Sequence, residues 1–135
     1  MWSALRTRMS AHWQADRHED KLALGVADVS FACGGRHGWM ELKQADAWPA
    51  RPDTVLRLPH FTTDQRLWLR TKGKAAGNTW LMLNVGDAGR EWLLFSWAAL
   101  DVVGTSPRAK LYDFAVLRSS RGLPAAELAT LLSQQ

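Results

Sequence analysis

Residues 25–43, GVADVSFACGGRHGWMELK, hold two runs of strand-forming residues broken by Gly34-Gly35-Arg36, the pattern of a β-hairpin. An isolated hairpin is marginal in water, so this one needs a larger sheet or a covering helix. The flanking sequence supplies both. FTTDQRLWLRTKGKAAGN (61–78) reads as a helix, opened by the capping-box pair Thr62 and Gln65 and stopped at Gly77-Asn78. TWLMLNV (79–85) and REWLLFSW (90–97) follow as apolar strands joined at Gly86-Asp87-Ala88-Gly89. Upstream, Trp2, Leu5, Met9 and Trp13 recur at spacings of three and four, which predicts an amphipathic helix over residues 1–14. QADRHEDK (14–21) extends that helix or leaves it. Residues 44–60 carry Pro49, Pro52 and Pro59 with little periodicity and read as a loop of functional length. LYDFAVL (111–117) suits a short strand or a helix, and LPAAELATLLSQ (123–134) a terminal helix with Pro124 in its first turn. The order α-β-β-α-β-β with a helical tail predicts an α/β fold with a central mixed sheet. One domain over residues 1–135 is expected, its core in about 1–97 and an extension in about 98–135.

The hairpin raises a chemical question, because Asp28, Glu41 and Lys43 are poor strand formers and costly to bury. Residues two apart share a face, so Glu41, Lys43 and Trp39 project together, as do Asp28 and Ser30. A turn of two residues (Gly35-Arg36) or of four sets Asp28 opposite Lys43 and Ser30 opposite Glu41, gathering the three charges on one face. A three-residue turn moves Asp28 to the other side. Two carboxylates that close repel unless a cation lies between them, and Mg²⁺ is the usual partner of such oxygen ligands. That ion acidifies water and binds phosphoryl oxygens, the chemistry of phosphodiester hydrolysis, with a lysine stabilising the growing charge. The plainer reading is a solvent-facing strand pair with an Asp–Lys ion pair worth at most about 1 kcal/mol. Spacing alone does not separate the two.

Composition narrows the setting. Apolar residues at 47% and charged residues at 22% are ordinary for a globular protein. Net charge is +4, which fits a polyanion-binding protein without requiring one. Eight tryptophans are many for this length, and most are expected as core or half-buried anchors. A lone cysteine, Cys33, excludes an internal disulfide framework and a multi-cysteine zinc site, and points to a reducing compartment. Histidines 12, 18, 37 and 60 show no metal-ligand spacing. No segment has the length of a membrane span or the apolar run of a signal peptide, so a cytoplasmic location is expected.

HEDKLALGVADVSFACGGRHGWMELK followed by FTTDQRLWLRTKGKAAGNTWLMLNV resembles the PD-(D/E)XK nuclease superfamily. Within it the likeness is to the VRR-NUC type and to small stand-alone, Holliday-junction-resolvase-like nucleases of phages. It spans roughly residues 12–95 and rests on the order and spacing of five elements. The resemblance implies a restriction-endonuclease-like core and a Mg²⁺-dependent endodeoxyribonuclease, with Mn²⁺ able to substitute. Residue by residue it makes Asp28 and Glu41 metal-binding carboxylates, Leu42 a metal ligand through its backbone carbonyl, and Lys43 the catalytic lysine. Glu19 matches an upstream glutamate of the metal site, with Asp20 its competitor, and Gln65 matches a glutamine that faces the site. Ala27 stands where the family usually has proline, a position that shapes the backbone before the aspartate.

The expected partner is DNA, branched or junction-shaped, with nicking or duplex cutting as the rival. A homodimer is expected, joined through tryptophans and the terminal helix. Arg51, Arg57, Arg66, Arg70, Lys72 and Lys74 make the middle of the chain basic. Arg66 and Arg70 share a helix face and, with Arg57, are candidate phosphate contacts. Trp48 is the tryptophan most expected to touch substrate. The competing class is a non-catalytic DNA-binding or structural module that keeps the nuclease fold.

Overall fold

The sheet grows outward from the hairpin in both directions. The computed structural model describes residues 1–19, 24–86 and 90–134. Helix α1 (Trp2–Met9) leads into strand β1 (Gln14–Arg17), then β2 (Val29–Cys33), β3 (Arg36–Ala45), helix α2 (Thr63–Ala76), β4 (Thr79–Val85) and β5 (Glu91–Ser96). A 3-10 helix (Trp97–Val102), α3 (Arg108–Phe114), β6 (Leu117–Ser119) and α4 (Ala125–Leu132) complete it. Among the described residues six strands lie in sequence order in one mixed sheet, every pair antiparallel except β3 with β4. That parallel pair needs a crossover, and α2 provides it. This is the α/β architecture expected of the sequence, a central mixed sheet flanked by helices.

Two stretches that the sequence left open are settled by the fold. QADR does not extend the first helix: α1 stops at Met9 and residues 14–17 pair with β2 as an edge strand. The tryptophans drive this, since Trp13 stacks on Phe31 of β2 at 5.5 Å and leans on Trp2 at 6.5 Å. LYDFAVL is divided, its first part ending α3 and its last residue opening β6.

Apolar side chains alternate along β4 and β5 and fill two cores, one on each face. Leu81, Leu83, Leu93 and Phe95 pack with Leu69 of α2, the loop residues Leu56 and Leu58, and Leu100, Val103 and Leu111. Met82, Leu94, Phe31 and Met40 pack on the other face with Leu5 and Met9 of α1 and Leu128 and Leu132 of α4. Residues 98–134 therefore contribute to both cores. Among the described residues, no helix is long and apolar enough to cross a membrane.

Candidate functional site

The hairpin turn is Gly34-Gly35, with φ of 58° and 82°, conformations that glycine adopts without steric cost. Cys33 therefore faces Arg36, and Val29 faces Met40. This corrects the expected turn at Gly35-Arg36 by one residue, and the pairing slides by two. Because the slide is even, no side chain changes face. Extending the observed pairing by one step sets Asp28 against Glu41 rather than Lys43.

Asp28 is held by the Leu42 N–H, which donates to its Oδ2 at 2.9 Å. Glu41 is fully buried, and neither of its carboxylate oxygens receives a hydrogen bond. The nearest cation is the Lys43 ammonium, 3.9 Å from Oε1. Burial first, and then the neighbouring Asp28 carboxylate, push the Glu41 carboxyl up to about 9, with Lys43 pulling weakly the other way.

Lys43 is itself buried, and its Nζ donates to the His60 carbonyl and to Gln65 Oε1, each at 2.9 Å. Gln65 Oε1 also accepts the Thr62 N–H at 3.0 Å, while Thr62 Oγ1 accepts the Gln65 N–H at 3.2 Å. The predicted capping box is thus present, and its glutamine oxygen is the same atom that holds the lysine. Gly25 brings the segment before Asp28 against this helix start. Its φ is +78°, and a Cβ there would lie 2.4 Å from the Asp64 carbonyl oxygen.

Asp28 and Gln65 line a cleft of about 760 Å³ together with Arg17, His18, Glu19 and Gly25. Lys43 lines a second cleft of about 580 Å³ with Asp46, Arg57 and His60. The two partners of its ammonium divide between the clefts, Gln65 at the first and His60 at the second.

The structure does not gather every candidate. Glu19 stands at the cleft, but its side chain is 80% exposed and lies 3.9 Å from Arg17. Asp20 lies outside the described residues. Among those described, no three His, Cys, Asp or Glu side chains converge as a metal-binding group, so the acidic set is the pair Asp28 and Glu41. Arg66 turns inward, donating to the Leu100 and Val103 carbonyls at 3.1 and 2.6 Å and lying 4.1 Å over the Phe61 ring. Arg70 pairs with Asp101. Of the three arginines, Arg57 is the one exposed beside a cleft. Trp48 is half-buried, its indole N–H donating to the buried Glu91 at 2.7 Å and its ring packed edge-on against Tyr112.

His18, which the sequence marked only as lacking metal-ligand spacing, also lines the first cleft. His18 Nε2 lies 2.6 Å from Ser30 Oγ, and its ring lies 5.4 Å from that of Trp39. Reading WQADRH as a strand would have found it, since alternation from Gln14 and Asp16 puts residue 18 on the face of Ser30 and Asp28.

No family model matches this sequence, and no curated protein matches it. Among solved structures, the chain is similar to Hjc, a Holliday junction resolvase from the archaeal hyperthermophile Archaeoglobus fulgidus. The identity is 18%, the match covers 95% of this chain and 96% of that one, and the TM-score is 0.60. The likeness is one of fold, and it runs along almost the whole of both chains.

Proposed function

We propose that the chain is a divalent-metal-dependent endonuclease that hydrolyses phosphodiester bonds of DNA, branched or junction DNA in particular. The observation that carries this reading is Glu41, whose two buried oxygens find no donor although Asp28 and Lys43 are adjacent. A fold uses such an arrangement when a ligand outside the chain completes it, since a buried, unsatisfied carboxylate is otherwise a standing cost. Asp28 and Glu41, with the carbonyl of Leu42, the residue after Glu41, are the oxygen donors a hard cation takes, and they fit Mg²⁺ or Mn²⁺. When bound, such an ion supplies positive charge for a phosphoryl oxygen and acidity for a water.

The remaining work belongs to the chain. Two of the three Lys43 N–H groups are committed to His60 and Gln65, which fixes the ammonium beside Glu41. A positive charge already positioned where negative charge grows on phosphorus lowers the barrier without reorganisation. Burial of Lys43 strengthens that effect by excluding water. Arg57, exposed at the second cleft, would contact the DNA backbone, and Glu19, exposed at the first, would add a carboxylate near the metal. Junction DNA as the substrate class draws on the fold shared with a Holliday junction resolvase, and cutting two strands calls for two copies of the chain. The test is cleavage of plasmid and four-way-junction DNA with Mg²⁺ or Mn²⁺. Glu41→Ala and Lys43→Ala should each lose about 100-fold or more while remaining folded. Binding without metal-dependent cutting of any DNA form would instead make the chain a non-catalytic module.

A further inference from the structure

An aromatic ladder leads away from the carboxylates. The His18 ring, in the cleft of Asp28, neighbours Trp39, and Trp39 meets Trp68 of α2 edge to face at 5.1 Å. Lys72, one helical turn beyond Trp68, places its Nζ 5.5 Å over the Trp39 ring and 5.3 Å over the Trp68 ring. Among the described residues Lys72 has no hydrogen-bond acceptor and no carboxylate partner, so only the two indole rings meet its charge. Trp68 and Lys72 line a groove of about 400 Å³ whose apolar wall includes Leu24 and Leu67, exposed by 76% and 61%. Leu24 and Asp64 border both this groove and the cleft of Asp28, so the two adjoin.

We propose that this groove takes one unpaired base of the DNA strand engaged in the neighbouring cleft, stacked on Trp68, with Lys72 on its phosphate. This deepens the nuclease reading and rests on it. The groove's volume is in the range of sites that enclose small ligands, roughly 300–1,000 Å³, which admits a base but not a duplex. An indole stacks on any base without reading its identity, and an unneutralised ammonium beside it complements the linked phosphate. Asp64 at the boundary offers an acceptor to a base amino group. Bases in an intact helix are stacked and paired and cannot reach the groove, whereas a branch point or a single-stranded flank presents them at little cost. The groove thus gives the chain a physical means of preferring irregular DNA over a plain duplex.

The test uses the full chain in EDTA, with a labelled duplex and the same duplex carrying unpaired nucleotides, one of them 2-aminopurine. The readouts are the ratio of the two affinities and the fluorescence of the 2-aminopurine. Wild type should favour the unpaired form by about tenfold, within what stacking one base supplies, and should quench the fluorophore. Trp68→Ala should bring the ratio close to one, and Trp68→Phe should keep most of it. If Trp68→Ala does not fold, the two wild-type readouts decide. Equal affinities without quenching, alongside metal-dependent cleavage, overturn this inference and leave the nuclease reading standing. Quenching and preference without cleavage on any substrate do the reverse, and absence of all DNA binding overturns both. A wild-type dimer that Leu67→Arg converts to monomer, with no quenching, assigns the groove to a second copy and overturns the inference.

Discussion

Glu41 carries opposite instructions for stability and for chemistry. Its carboxyl ionises near 9 in the folded chain against an ordinary value of 4.5, so the fold favours the neutral form. Below about pH 4.5 both folded and unfolded chains hold this proton, and the side chain takes nothing from stability. Between there and about 9 the unfolded chain releases it first, and stability falls as pH rises. In EDTA, Glu41→Gln should therefore melt higher than wild type, by a margin that widens from pH 5 to pH 9, while cleavage is lost. Thermal denaturation across that range measures the margin, and Mg²⁺ should raise the wild-type midpoint most at the alkaline end. The arginines divide in the same way. Arg66→Ala breaks two hydrogen bonds to backbone carbonyls and a ring contact, and should lower unfolding free energy by about 1.5–3 kcal/mol. Arg57→Ala should leave the melting point in place and weaken binding of every DNA form alike, as loss of a phosphate contact does. Chemical denaturation and DNA titration of both variants separate the roles.

At the scale of elements, much of the layout was legible. Thr62 and Gln65 announced the start of α2, and apolar alternation announced β4 and β5, because these signals are local. The first edge strand was not legible, because its four residues are held by Trp13 reaching Phe31, a contact between segments far apart in sequence. The hairpin register was legible only to parity: the even slide kept Asp28, Glu41 and Lys43 together while changing which residue faces which. Burial of Arg66 was equally invisible, since its acceptors are carbonyls beyond β5. Glycine 73 shows what such distant contacts demand. A Cβ there would lie 2.2 Å from the Trp97 ring, so helix propensity alone, which favours alanine, gives the wrong sign. Gly73→Ala should destabilise by about 1–3 kcal/mol in chemical denaturation through overpacking of α2 against the 3-10 helix.

For the molecule as a whole, the reading as a two-strand cutter requires pairing of chains. Sedimentation should give twice the 15.1 kDa of one chain at the concentrations where junctions are cleaved. Binding should weaken steeply with added salt, as the net charge of +4 and phosphate contacts imply. The sheet limits how two copies meet. Its outermost strands, β1 and β6, run for only four and three residues, too short to template a continuous intermolecular ribbon. On the proposed reading, two copies would then meet through side chains of helices and loops rather than through a shared sheet.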